Sequence, residues 1–346
     1  MEFIRLNSDY TQGAHQSIID LLVESNMVMT SGYGEDEYCE KAKELIKNAC
    51  NAQNVAVHFL VGGTQTNLTV ISSALRPHQG VISAESGHIE VHETGAVEAC
   101  GHKVITIKSE DGKIYAKDIQ TLCDIHRDDE AFEHTVQPKM VYISNSTEYG
   151  TIYNKAELYD LAEVCKKNNL YLFMDGARLG YALSAKNNDL TLEDVAKCCD
   201  VFYIGGTKCG SLFGEAVVIT NDKLKEDFRY IIKQKGGMLA KGRLLGIQFI
   251  PLFTNNLYLE ICQNAIICAD IIVEALKQKN IRFEHEPVSN QLFLIIENDY
   301  LDKLKEKYVF SFLGKYDENY SKIRICTSWA TQIDDVKALA EDIKSL

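Results

Sequence analysis

A lysine and a carboxylate carry the clearest chemical potential in this chain. Asp175 and Lys208 each stand just past a short apolar run, 171–174 (YLFM) and 201–204 (VFYI). Such runs, β-rich and closed by small residues, are the sequence form of parallel strands buried on both faces. Ligands of open α/β sheets bind beyond the carboxyl ends of the strands, so both side chains are expected to face one ligand. Upstream, Gly62-Gly63-Thr64-Gln65-Thr66-Asn67 precedes a helical segment. Glycine lets a ligand approach, and the free N–H groups of a helix start attract an anion. His88 follows in the stretch GHIEVHETGA. An anion turn, an imidazole, a carboxylate and an amine in that order suit a phosphorylated pyridine aldehyde. Pyridoxal 5′-phosphate needs a lysine for its aldehyde, a carboxylate to keep its ring nitrogen protonated, and an anion site. On this reading Lys208 takes the aldehyde, Asp175 the ring nitrogen, Gly63 and Thr64 the phosphate, and His88 stacks on the ring.

Each piece alone has a plainer reading. Asp175 ahead of Gly-Ala-Arg-Leu is a good helix N-cap, and a glycine turn before a helix is commonly only a turn. The turn is neither GxxxxGK[ST] nor GxGxxG. His88 and His92 share a helical face, yet HExxH is absent and no cysteine pairs stand at zinc spacing, so no metal site is expected.

The elements that must position these groups alternate along the chain. Strands are expected at 55–61, 81–83, 103–107, 140–144, 171–174, 201–204 and within SLFGEAVVIT, with helical segments between them. That pattern predicts a three-layer α/β/α unit around a mostly parallel seven-stranded sheet. From residue 222 the texture changes. A basic run with Arg229, Lys233, Lys235, Lys241 and Arg243 surrounds Gly236-Gly237; it forms a solvated face or delivers cations to a ligand or a neighbouring subunit. A helical stretch over 244–279, broken near Pro251, leads to strands at 281–284, 291–296, 309–312 and 322–327 and helices at 301–307 and 333–345. The expected division is a large domain with an N-terminal arm over 1–250 and a small C-terminal α+β domain over 251–346.

Composition narrows the function classes. The 346 residues are 46% apolar, ample for a full core, and carry a formal charge of -13. Acidity of that size argues against nucleic-acid or anionic-membrane partners, which require clustered cations. Eleven cysteines are scattered and odd in number, MEFIRLNSDY lacks an apolar leader segment, and no run reaches membrane-spanning length. Reduced thiols and a cytoplasmic location are expected.

Taken together, RLNSDYT, GYGEDEY, GGTQTN, GHIEVHETGA, MDGARLG, GGTKCG, GGMLAKG and KIRICTSW span nearly the whole chain. In that order they resemble the threonine aldolases and related β-eliminating lyases, pyridoxal-phosphate enzymes of the aspartate-aminotransferase-like fold (fold type I). The resemblance implies Lys208, His88 and Glu148 as catalytic residues, and Gly63, Thr64, His88, Asp175, Arg178 and Lys208 around the cofactor. Ser8, Tyr33, Arg178 and Arg324 are implied for the substrate; an arginine fork suits its carboxylate. It also implies a homodimer or homotetramer, with Tyr33 and the segment around Lys233 and Lys241 reaching across an interface. The implied reaction cleaves L-threonine or L-allo-threonine to glycine and an aldehyde. Two alternatives remain at this stage: β-elimination on another amino acid, and a catalytically silent amino-acid sensor on the same fold. Many such aldolases have a histidine in the loop ENTHN, whereas NSTEYG here offers Glu148. GGTKCG stands for the common LSKGLG, and Lys241 for a usual glutamine.

Overall fold

The computed structural model describes residues 3–346. Seven strands make one sheet: β1 (Ala56–Leu60), β2 (Gln79–Ala84), β3 (Lys103–Ile107), β4 (Gln137–Ser144), β5 (Tyr171–Asp175), β6 (Val201–Gly205) and β7 (Glu215–Ile219). Their spatial order is β1-β7-β6-β5-β4-β2-β3. Residues β6 carries as VFYIG are buried throughout, because both of its faces are covered. Phe202 and Ile204 join one apolar cluster, under the helices Glu37–Ala49, Lys155–Lys167 and Arg243–Leu252. Val201 and Tyr203 join the cluster on the opposite face, under α1 (Gly63–Ala74). The period-two pleat sends alternate residues into two cores, which is why the strand shows no polar alternation. Each such side chain contributes roughly 1.5–3 kcal/mol by leaving water.

The sheet is the expected mostly parallel one, with a single reversal. β2 with β3, β2 with β4, β4 with β5 and β5 with β6 pair in parallel. β7 runs antiparallel to both β1 and β6. The connection over 206–214 is too short for a parallel crossover, which takes a dozen or more residues. Glu215, the first residue of β7, therefore lies opposite Leu60 and Gly205, the last residues of β1 and β6.

A second, antiparallel sheet contains β8 (Arg282–Phe283), β9 (Gln291–Glu297), β10 (Ser311–Lys315) and β11 (Tyr320–Cys326), in the order β10-β11-β9-β8. Leu292, Leu294, Ile323 and Ile325 from its strands share a core with Ile272 of the helix Leu257–Gln278 and Leu339 of the helix Ile333–Ser345. The N-terminal arm crosses to this part: Ile4 and Arg5 pair with Tyr308 and Val309, and Leu6 is buried in the same core. Residues 7–9 are thereby held between the two sheets' clusters, next to the edge where β5 ends. The expected helical break falls after Leu252, where Asn255 and Asn256 take positive φ of 53° and 62°, a conformation asparagine tolerates better than most residues.

Candidate active site

Asp175 closes β5 and is only 4% exposed. Phe173, Tyr142 of β4 and Tyr203 of β6 point into one cluster, so Asp175, two residues beyond Phe173, faces the same side. Tyr142 donates its hydroxyl to Oδ2 at 2.6 Å and Tyr203 to Oδ1 at 2.5 Å. Asn67 Nδ2 also donates to Oδ2 at 3.0 Å, and the Ala177 N–H to Oδ1 at 3.0 Å. Burial alone would push this carboxyl up, but the His88 charge and the bonds from Tyr142, Tyr203 and Ala177 bring it below its ordinary value. A Cβ on Gly176 would lie 1.8 Å from the Tyr203 carbonyl, so only glycine lets the chain leave β5 this close to β6.

His88 begins a single helical turn. Its Nδ1 lies 2.8 Å from Glu93 Oε1, the oxygen that also accepts from Asn67 Nδ2 at 2.7 Å. Asn67 thus ties Glu93 and Asp175 together. Burial works against a proton on His88, yet the Glu93 bond and the Asp175 charge outweigh it and raise the imidazole. Glu148 Oε1 accepts from Ser144 Oγ at 2.7 Å and from the His88 N–H at 3.0 Å; burial raises its carboxyl.

Lys208 sits in the turn between β6 and β7. The turn is fastened by Tyr181, whose hydroxyl donates to the Lys208 carbonyl at 2.5 Å. It is fastened again by Glu215, which accepts from Thr207 Oγ1 at 2.8 Å and the Gly206 N–H at 3.1 Å. Across from it, α1 starts at Gly63 with no side-chain cap and no acidic residue in its first turn, so its leading N–H groups stay available to an anion. Gly63, Thr64, His88, Glu148, Asp175, Arg178 and Lys208 all open on one cavity of about 260 Å³. Ser146 lines it too, with a buried Oγ that has no partner.

The remaining expected residues divide. Arg178 Nε and Nη2 donate to Asp9 Oδ2 and Oδ1 at 2.7 and 3.0 Å, so half of its fork is spent inside the protein. Arg324 Nη1 donates to Gln291 Oε1 at 3.1 Å, and Nη2 to the Asn7 carbonyl at 3.1 Å. Arg324 Nε and Ser8 Oγ are buried without partners, and neither residue is among those lining the cavity. Tyr33 is elsewhere: it is 46% exposed, lies under Lys233 Nζ at 5.0 Å, and lines a different cleft.

Sequence reasoning gave no role to Asp9, Asn67, Tyr142, Tyr203 or Glu215, and it named Glu93 beside His88 without pairing the two. Asp9 and Asn67 lie inside stretches already marked, where their polarity beside a predicted ligand was the available signal. Tyr142 and Tyr203 stand within strands and read as core, and Glu215 is a lone carboxylate at a strand start.

The Asp9 pair sets an acid limit on stability. Burial raises this carboxyl, but the Arg178 and Lys208 charges and the bonds from Arg178 and Asn290 bring it down to about 2. Its folded value lies below the unfolded one, so its contribution is complete above about pH 4 and disappears as the pH falls through the folded value. The expected loss is ~2 kcal/mol. Acid unfolding followed by circular dichroism should show that segment in the parent and not in Asp9→Asn. A variant retaining the parent's pH profile would overturn the assignment.

Residues 6–299 match the β-eliminating lyase family. The low specificity L-threonine aldolase of Pseudomonas sp. is 31% identical over 328 residues, covering 91% of this chain and 89% of that protein. A solved structure of Leishmania major threonine aldolase is 45% identical, covers 99% of both chains and superposes with a TM-score of 0.96. Aspartate aminotransferase from Thermus thermophilus shares the fold alone, with a TM-score of 0.70 at 12% identity over 99% of this chain and 91% of that one. With the family match spanning most of its residues and that 31% identical relative covered almost end to end, the chain belongs to the β-eliminating lyase family, whose members are pyridoxal-phosphate enzymes.

Proposed function

We propose that this protein is a pyridoxal-phosphate-dependent aldolase that cleaves β-hydroxy-α-amino acids, L-threonine and L-allo-threonine among them, into glycine and an aldehyde. The observation that carries the reading is the meeting of Lys208, Asp175 and His88 on one cavity with the uncapped start of α1. The donor set fits the cofactor: an amine, a buried carboxylate held in its ionised form, free helix N–H groups and the unpartnered Ser146 Oγ. The aldolase relatives support the same substrate class.

When bound, pyridoxal phosphate supplies an aldehyde that takes up amines and a protonated ring that accepts the electron pair released at the substrate Cα. Asp175 is the anion that keeps a proton on the ring nitrogen. The N–H groups at Gly63 and Thr64 would hold the phosphate, and the His88 imidazole would stack on the ring. Lys208 Nζ holds the cofactor between turnovers. The side of the Arg178 fork that Asp9 leaves free opens on the cavity and binds the substrate carboxylate, with Ser8 and Arg324, which carry unpartnered donors, in support. Glu148 accepts the β-hydroxyl proton, a task suited to a carboxyl whose proton affinity burial has raised; Lys208, once released, is the other base in reach of the reaction. As Cα–Cβ breaks, the hydroxyl carbon becomes the aldehyde, and Cα takes a proton to give glycine.

Purified protein supplied with L-threonine should yield glycine and acetaldehyde in equal amounts. A keto acid with ammonia would identify β-elimination instead, and a yellow protein that consumes no β-hydroxy amino acid would be a sensor.

We further infer a homodimer or homotetramer. Met27, Met29 and Tyr230 are 87%, 96% and 76% exposed, apolar side chains that association would take out of water. Tyr33, outside its own chain's cavity, is then available to a neighbour's. Eleven scattered cysteines, none of them bridged, favour a reducing compartment, the cytoplasm.

A further inference from the structure

Glu215 has no part in the mechanism above, yet it occupies the middle of the anion site. Because β7 is antiparallel, Glu215 pairs with Leu60 on one side and Gly205 on the other. Leu60 leads directly into Val61-Gly62-Gly63-Thr64, and Gly205 into Gly206-Thr207-Lys208. The carboxylate therefore stands between the two turns, is 3% exposed, and lines the cavity together with Gly62, Gly63, Thr64, Thr207 and Lys208. When ionised it accepts on both oxygens, Oε1 from Thr207 Oγ1 and Oε2 from the Gly206 N–H. Thr207 Oγ1 meanwhile accepts from the Gly214 N–H at 3.0 Å, so its one hydrogen is spent on Glu215.

We propose that Glu215 and Thr207 form a proton-operated switch for anion binding, in which Glu215 takes up one proton as a phosphate enters and thereby frees the Thr207 hydroxyl to donate into the cavity. The inference rests on the phosphate site proposed above. The balance is simple: one proton comes from solvent to Oε1, which then donates to Thr207 Oγ1 along the existing contact, and no covalent bond to carbon changes. The gain is twofold, since one negative charge leaves the site and one donor is added. An ionised carboxylate buried beside a phosphate repels it, which favours the protonated acid.

The surroundings agree with that direction. Burial is the largest influence and pushes the Glu215 carboxyl up to about 8, against the Lys208 charge and the bonds from Thr207 and Gly206, with the Asp175 charge adding to the rise. The other ionisable groups packed around it are the phenols of Tyr203 on β6 and Tyr258 on the helix Leu257–Gln278. His88, Glu148 and Arg178 complete the cavity wall.

The test uses the full chain freed of cofactor and titrated calorimetrically with pyridoxamine 5′-phosphate, whose amine cannot condense with Lys208. Pyridoxamine without phosphate is the second arm, and buffers of different ionisation enthalpy report proton uptake. Near pH 9 the parent should take up close to one proton with the phosphorylated ligand, and about half of one near pH 8 where Glu215 is already half protonated, but none with pyridoxamine. Its dissociation constant should rise about tenfold more than that of Glu215→Gln between about pH 7 and about pH 9. Glutamine can keep both contacts, accepting from the Gly206 N–H and donating to Thr207 Oγ1, so it mimics the protonated acid; titrations of ligand and other groups cancel in the comparison. Parallel profiles for the two proteins would overturn the switch. If the variant does not fold, the parent alone decides, because equal proton uptake with and without phosphate also overturns it. Absence of any binding near pH 7 takes down the phosphate site and the switch together, whereas binding with unlinked protons takes down only the switch.

Discussion

Replacing Lys208 by alanine is expected to lower threonine cleavage by at least ~10³-fold, toward the upper end of what one proton-transferring group contributes, and to abolish fixation of the cofactor by borohydride. Lys208 is the one lysine among the residues lining the cavity, so no second amine stands ready to replace it. The loss should be chemical rather than structural. The bond that fastens this turn from Tyr181 is made to the Lys208 carbonyl, and those from Glu215 are made to Thr207 and Gly206; alanine keeps all of them. Thermal unfolding should therefore shift little, as for substitutions that remove no buried contact. Mass spectrometry of the reduced protein reads the result directly. Cofactor fixed in the Lys208→Ala protein would reject Lys208 as its attachment point, whatever the activity.

Asp175→Asn is expected to reduce turnover by about 10²–10³-fold, the scale of removing one preorganised electrostatic partner, and to cost about 1–3 kcal/mol of stability. Both effects follow from the four donors around the carboxylate. If the new amide keeps its oxygen at the Oδ2 position, it still accepts from Tyr142 and Asn67. Its nitrogen then faces the Tyr203 hydroxyl, which can turn and accept, and the Ala177 N–H, which cannot. One N–H loses its partner, and the negative charge opposite His88 disappears. Since that charge helps raise the imidazole, the His88 proton should become easier to remove. Histidine NMR titration would show a lower midpoint in the variant. An unchanged midpoint together with full turnover would dismiss Asp175 as the ring partner.

Much of the architecture could be read before any coordinates. Alternation of short apolar runs with helical segments led to seven strands and a mostly parallel sheet, and the observed strands fall where those runs do. The reason is local: a strand buried on both faces must be apolar at every position, and 171–174 and 201–204 are. The linkage of the charged residues was not local. Nothing in RLNSDYT says that Asp9 will close on Arg178 from 169 residues away. That pair changes the expected division of labour, because it takes half of the Arg178 fork. Likewise, the i,i+3 and i,i+4 arithmetic that set His88 beside His92 missed His88 and Glu93, which meet because the single helical turn ends at once and the chain folds back.

By itself the sequence determined the strand set, the carboxylate and lysine at strand ends, and the glycine turn ahead of α1. These follow from periodicity and turn chemistry, which act over a few residues. Tertiary structure decided the direction of β7. A parallel strand would have carried Glu215 to the far edge of the sheet. The short connection after Lys208 reverses it and places a buried carboxyl between the anion turn and the lysine. Strand direction depends on what the connection can span and on which neighbours accept the ladder, and the residues of a single strand do not encode it.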